Sequence, residues 1–402
     1  MSQPQIALAF SGGLDTCWCI PVLKSQGYEV TTVTVDVGGF SPDELKEIEL
    51  RSQHLGAIKH ITVPAAQMFF DEILRHLIAG NVLRGNLYPL CVGAERSLQA
   101  RETAKIATQI GAEAVAHGCT AAGNDQIRFE IALRTLAPNL NILAPVRDQA
   151  PSRPDQLALL KANNLDFPAN KAAYSVNSGL WGVTIGGEET TGTEFTIPED
   201  QWLRTKNAFV QTQPPESLTI TFTHGIPTHL NSIPLDPVTL ITKLDQTVAK
   251  FGIGRGIHLG ETILGIKGRV AFEAPAATVL VQAHRELEKL TLTKRQIALK
   301  DQVAALYGEW VHEGLFTEPA SRMAESLFTE SQKSVSGDVH IALHPGHSFV
   351  SGVTSPYSLH AASRAVYGEA VGEWTPEDAK GFARLYGLAG ILHARANPGV
   401  NP

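Results

Sequence analysis

An α/β fold is predicted for this 402-residue chain: an N-terminal doubly wound parallel sheet, then a second, α+β part and a helical tail. Three observations predict it. Strand-like and helix-like segments alternate through about the first 150 residues, the pattern of a parallel sheet covered by helices. The stretch from Val146 to Asn170, interrupted by prolines and an Asn-Asn pair, breaks that alternation and reads as a crossing segment and domain boundary. Beyond it, Leu218, Ile220 and Phe222 alternate with Ser and Thr, as in a half-buried antiparallel strand.

In chain order, Ile6 to Phe10 is an apolar strand, Thr16 to Gln26 a helix and Glu29 to Val37 a second strand. The next helix opens at Ser41-Pro42-Asp43-Glu44, where Ser caps, Pro suits the first helical position and Glu44 completes a capping box. Strands follow at Ile58 to Val63, Glu113 to Gly118 and Asn141 to Ala144, with helices at Ala66 to Ile78 and Arg96 to Gly111. In the second part, Asp236-Pro237 opens a helix ending near Gly252, and Thr278 to Ala283 reads as a strand. Helices at Lys294 to Glu313 and Glu318 to Ser331 precede hairpin strands at Val339 to Leu343 and Ser348 to Val353. The tail from Glu377 to Ala396 is helical, with Phe382, Leu385, Leu388, Ile391 and Leu392 at spacings of three and four. Such a face packs on its own domain or on another subunit. The expected domains are 1–165, 166–360 and 361–402.

Composition limits the function. Hydrophobic residues make up 43% and charged residues 18%, a globular balance. A formal charge of −7 gives no general pull toward nucleic acid or an anionic membrane, so neither partner is expected. Four cysteines without a CxxC pair make no disulfide framework and suit a reducing cytoplasm. A core strand by Ile6 leaves no room for a signal peptide, and no apolar run approaches membrane-spanning length.

Ser11-Gly12-Gly13-Leu14-Asp15, between the first strand and first helix, reads as a phosphate cradle. The glycines permit a sharp turn and close ligand approach, the helix N-terminus offers free N–H groups, and Ser11 and Thr16 add hydroxyls. The segment lacks the Lys of a Walker A loop, which suits a pyrophosphate that leaves as a unit and points to AMP transfer. A plain strand-to-helix turn is the bland reading. A second loop, His117 to Arg128, follows another strand and suits a small zwitterion. Thr120 and Asn124 suit a carboxylate, Asp125 an ammonium, and Arg128 a carbonyl or carboxylate through paired donors. A simple Asn-Asp turn is the alternative there. His340, His344 and His347 fit a solvated hairpin better than a metal site, and no resident metal is expected.

The two loops together resemble the argininosuccinate synthase family, and the similarity extends in order over essentially the whole chain. It runs through Tyr88-Pro89, Ala144-Pro145-Val146-Arg147, Tyr174-Ser175, Leu180-Trp181-Gly182, Gly252-Ile253-Gly254-Arg255, Gly265-Ile266-Lys267-Gly268-Arg269 and Ser331-Gln332-Lys333. The resemblance implies a nucleotide domain of the ATP-pyrophosphatase, adenine nucleotide alpha hydrolase-like type, a C-terminal synthetase domain and a tail helix used in a homotetramer. It implies ligation of citrulline and aspartate with Mg-ATP through citrullyl-AMP, releasing AMP and pyrophosphate. By motif, Ala9, Phe10, Ser11, Gly12, Gly13, Leu14, Asp15, Thr16 and Cys17 resemble the ATP loop, with Val35 and Gly118 near the nucleotide. Thr120, Asn124 and Asp125 look like aspartate contacts. Tyr88, Asn124, Arg128, Ser175 and Thr184 look like citrulline contacts, with Glu261 as a further candidate. No dedicated acid–base residue is implied; Asp15 and Asp125 are candidates for assisting the metal or orienting an amine.

Three departures cluster on one substrate. The family's Thr-Ser-Leu-Ala-Arg stands here as Val92-Gly93-Ala94-Glu95-Arg96, removing a hydroxyl at Gly93. A family Glu that meets citrulline's amino-acid end aligns with Gly260, and a nearby family Tyr is Phe272. Losing a carboxylate opposite an ammonium costs about 1.5–3 kcal/mol. Two explanations stand: Glu261 or Glu273 takes over through a one-residue bulge, or the acceptor is an N-acylated citrulline with no amine charge. A non-catalytic ATP-binding regulator is the remaining alternative.

Overall fold

The computed structural model describes residues 3–168, 174–210, 213–363 and 372–399. The chain divides into two compact units, Met1–Pro356 and Tyr357–Pro402.

The first unit opens with the expected parallel sheet. β1 (Gln5–Ala9) lies between β2 (Glu29–Asp36) and β4 (Ala114–Ala116), with β3 (Lys59–Pro64) and β5 (Asn141–Leu143) outside them, in the order β3-β2-β1-β4-β5. Every pairing is parallel. Alternate residues of β1 feed opposite cores: Ile6 and Leu8 pack with Cys17, Ile20 and Leu23 of α1 (Leu14–Ser25), while Ala7 packs with Phe69, Leu98 and Ala104. The loops after β1, β2 and β4 therefore share one edge, the carboxyl ends of a doubly wound sheet.

The helices follow the sequence signals closely. α2 (Pro42–His54) starts with the expected Ser41–Glu44 capping box. α3 (Ala66–Phe69) passes through a π turn at Phe70–Leu74 into α4 (Arg75–Ala79), where an uninterrupted helix is expected. α5 (Arg96–Gln109) and α6 (Asp125–Leu136) complete the cover. The expected crossing segment from Val146 to Asn170 is largely helical: α7 (Pro145–Gln149) and α8 (Arg153–Ala162) both carry Pro in the first turn, so the prolines start helices rather than break structure. Its last two residues lie outside the described ones.

Two antiparallel sheets complete this unit. One has the order β10-β9-β8-β13-β14 and includes the expected strand at β8 (Glu216–Thr223) and the hairpin of β13 (Gly337–His344) and β14 (His347–Thr354), with β9 (Ile226–Leu230) and β10 (Ile233–Pro234). The other, β11-β12-β7-β6, is built from β6 (Ser175–Gly179), β7 (Gly182–Gly186), β11 (Arg255–Glu261) and β12 (Lys267–Glu273), which have no counterpart among the expected elements. The predicted strand from Thr278 to Ala283 is instead the middle of the helix Pro275–Thr291. The run Thr278 to Val281 is rich in β-branched residues and nearly all buried, so it reads locally as a strand; the helical period shows only further on, where Gln282, Arg285, Glu286 and Lys289 share the less buried face.

In the second unit the expected single tail helix is two, Pro376–Tyr386 and Leu388–Ala396, joined at Gly387. Thr375 caps the first with Asp378 in a capping box.

Candidate active site

The loop after β1 turns at Gly12, whose φ is +71° and where a Cβ would sit 2.8 Å from Cγ1 of Ile48. Only glycine meets both demands without strain. α1 then begins after Gly13 with no side-chain cap, leaving the first-turn N–H groups for an outside acceptor. Ser11 Oγ and Thr16 Oγ1 lie 3.2 Å apart, and Thr16 also donates to the Gly13 carbonyl. From α2, Arg51 donates to the Gly12 carbonyl at 2.5 Å, fixing the turn and bringing a positive charge behind it.

The other sequence-predicted loop residues surround this turn. Ala9 ends β1, and the Phe10 N–H donates to the Val33 carbonyl at 2.8 Å. Val35 is buried near the end of β2. Gly118, beyond β4, passes so close that a Cβ would lie 3.2 Å from the Thr16 nitrogen. Leu14 and Asp15 open α1, and Asp15 accepts from Gln156 of α8 at 2.7 Å, a partner no local motif reveals. Cys17 is buried and burial pushes its thiol up to about 12, so it is packing rather than a nucleophile.

The loop after β4 carries the polar cluster. Thr120 is exposed at its start, and Asn124 accepts the Ile263 N–H at 2.9 Å. Asp125 takes one guanidinium on each oxygen, from Arg96 Nε at 2.9 Å and Arg128 Nη1 at 2.7 Å. Burial alone would raise its carboxyl, but Arg96 and Arg128 win and hold it at about 2, a permanent anion at neutral pH. Arg96 reaches further, to Glu95 at 3.0 Å, Gln99 at 2.8 Å and Asn177 of β6 at 2.8 Å. Glu95 is 1% exposed, and burial pushes its carboxyl up to about 8 against the pull of Arg96. Arg128 donates to the His312 carbonyl at 2.7 Å and meets His312 Nδ1 at 3.0 Å. Burial, then Arg128, lowers His312 to about 3; the neutral ring accepts at Nδ1 and carries its proton on Nε2, which has no partner among the described residues.

Strands β6, β7 and β12 bring the remaining candidates to this cluster. Thr184 on β7 stands opposite Asn177 on one side and Phe272 on the other. Ser175 is at the exposed start of β6, on the same face as Asn177 two residues on. Tyr88 is buried, with its ring stacked on His258 and edge-on to Phe272, each at 5.2 Å. Gly93 leaves room for Arg128: a Cβ there would sit 2.9 Å from Nη2.

Glu261 is not brought into this group. The β11–β12 register runs unbroken from Arg255↔Glu273 to Glu261↔Lys267, so the expected bulge is absent. Alternation then puts Glu261 on the face opposite His258, where it pairs with Lys267 at 2.7 Å. Glu273 is equally engaged, accepting from the N–H groups of Leu203, Arg204 and Thr205 and from the Thr205 hydroxyl. Arg96, Asn177, His258 and His312 were missed by sequence reasoning. Arg96 alone stood in a quoted motif; the others reach the site through folding over long stretches of chain.

Comparison with known proteins shows what the chain is similar to. Residues 5–166 match the model of the arginosuccinate synthase N-terminal HUP domain, and residues 174–393 that of the arginosuccinate synthase C-terminal domain. The argininosuccinate synthase of Methanocaldococcus jannaschii is 36% identical over 387 residues, covering 96% of this chain and 97% of its own. That of Xanthomonas campestris pv. campestris is 36% identical over 405 residues, covering 99% of this chain and 100% of its own. That of Halalkalibacterium halodurans is 36% identical over 412 residues, covering 99% and 97%.

Proposed function

The chain belongs to the argininosuccinate synthase family, and from that premise we propose how its residues divide the work of ligation. It is an ATP-dependent ligase that joins citrulline to aspartate in arginine biosynthesis. The uncapped start of α1, with Ser11, Thr16 and the Gly12-Gly13 turn, receives the triphosphate of Mg-ATP, and Val35 and Gly118 flank the nucleoside. Tyr88, Asn124, Arg128, Ser175 and Thr184 hold the citrulline so that its ureido oxygen attacks the α-phosphorus. A P–O bond forms, the bond to pyrophosphate breaks, and citrullyl-AMP results. Thr120, Asn124 and Asp125 hold aspartate; its amine attacks the ureido carbon, loses its proton and displaces AMP. Alignment and charge stabilisation supply the acceleration, with Asp15 and Asp125 orienting the metal and the amine. Glu261, tied to Lys267, is left out of the acceptor set.

The observation that carries this reading is the anion Asp125, clamped between Arg96 and Arg128 after β4, beside an anion-ready helix start after β1. The exposed apolar residues Phe382 and Leu385 of the tail, whose helices hold no buried residue, serve assembly into a homotetramer. Citrulline labelled with oxygen-18 in its ureido group tests the mechanism. The label is expected in the phosphate of AMP, with one pyrophosphate per argininosuccinate. Unlabelled AMP, or formation of ADP and phosphate, overturns the adenylate route.

A further inference from the structure

Glu95 and Asp125 draw on one guanidinium. Arg96 gives its Nε to Asp125 at 2.9 Å and its Nη1 to Glu95 Oε1 at 3.0 Å. Oε1 also accepts from Gln99 at 3.2 Å, so both of its lone pairs are in use. The second oxygen, Oε2, is buried and has no hydrogen-bond partner among the described residues. It lies against the turn between β6 and β7, where a Cβ on Gly179 would sit 2.2 Å from it.

A carboxyl so placed keeps its proton on Oε2. Burial raises its pKa to about 8 against the pull of Arg96, and the Asp125 anion adds to the rise. The other groups that face it do not reverse this. Arg204 is already bound to Asp245 at 3.1 Å and to the Gly179 carbonyl at 2.7 Å, and burial keeps the Cys91 thiol neutral. While neutral, Glu95 fixes the plane of Arg96 and leaves its charge to Asp125. Once ionised, it is a second buried anion with an unpaired oxygen, and the cation it already touches is Arg96. The guanidinium is one rigid plane, so a turn toward Oε2 also moves the Nε that Asp125 uses.

We propose that Glu95 is a positioning residue for ligation: acting through Arg96, it aims Asp125 at the amine of aspartate. Its proton is the condition for this, so the use of aspartate weakens as Glu95 ionises. The inference rests on the assignment of Asp125 to aspartate. Steady-state pyrophosphate release by the full chain with Mg-ATP, citrulline and aspartate tests it, read as kcat/KM for aspartate across pH. Glu95→Gln keeps an accepting oxygen for Arg96 and cannot ionise. Between about pH 7 and about pH 9 the unaltered chain is expected to lose about 5-fold or more and Glu95→Gln less than about 2-fold, as one charge-assisted hydrogen bond is or is not disturbed. The KM for ATP, held at the loop after β1, should move by less than about 2-fold over the same interval. A fall equally steep in the two proteins, or shared equally by aspartate and ATP, overturns the proposal and leaves the ligase reading intact. No pyrophosphate release at any pH overturns both. If the variant fails to fold, the unaltered chain decides: a flat profile for aspartate overturns the proposal.

Discussion

Arg96 spreads one planar guanidinium over Asp125, Glu95, Gln99 and Asn177, four acceptors that a lysine ammonium has no geometry to serve together. Arg96→Lys keeps the charge and loses the fork; kcat/KM for ligation is expected to fall about 10- to 100-fold, the worth of one or two charge-assisted hydrogen bonds, as read by steady-state kinetics. Glu95 supplies a pH signature. Its folded pKa near 8 lies above the ordinary 4.5, so between those values the folded chain holds a proton that the unfolded chain has released. Its contribution to stability is full below about pH 4.5 and is lost as pH rises toward 8. Urea unfolding at several pH values is expected to show this decline in the unaltered chain and a flatter profile in Glu95→Gln. Sequence reasoning reached Asp125 and Arg128 because they stand close together in one loop. It missed Asn177 and His312, which lie 81 and 184 positions from the arginines they serve.

The start of α1 separates two glycines by role. At Gly12 an added Cβ meets left-handed backbone and Ile48, whereas at Gly13, with φ −74°, it would meet only Ser11 Oγ at 3.4 Å. Gly12→Ala is therefore expected to destabilise the fold by about 1–3 kcal/mol in urea unfolding. Gly13→Ala should keep near-native stability and instead raise the KM for ATP, because its methyl stands where the backbone must approach the phosphates. Equal unfolding midpoints for the two variants would contradict this division. The strand-to-helix turn was legible because β1 and α1 announce themselves locally, by an apolar run and a glycine pair. The helix Pro275–Thr291 was not: Thr278 to Val281 favour a strand locally, and the helical period shows only when Gln282, Arg285, Glu286 and Lys289 further on are read with them.

Within the larger unit, distant stretches of chain meet in a buried polar network. Asn81, at the end of α4, donates to Glu288 at 2.5 Å and meets His284 at 2.7 Å; Gln332 donates to Glu288 at 2.9 Å; and Lys300, fully buried, pairs with Glu288 at 3.1 Å. Lys300→Met strands the Glu288 carboxylate and is expected to cost about 3–5 kcal/mol in urea unfolding, with part recovered in the Lys300→Met, Glu288→Met double variant. The parallel sheet was legible at this scale because βα alternation is a sequence pattern, whereas the β11-β12-β7-β6 sheet pairs residues as far apart as Glu273 and Val183 by register alone. At Gly260 an added Cβ would meet only the tips of two side chains, His258 Nε2 at 2.6 Å and Arg84 Nη1 at 3.2 Å, which must swing aside to admit it. The β11–β12 ribbon and the turn after β1 belong to separate sheets, so substitutions can accumulate on the one without disturbing the backbone of the other.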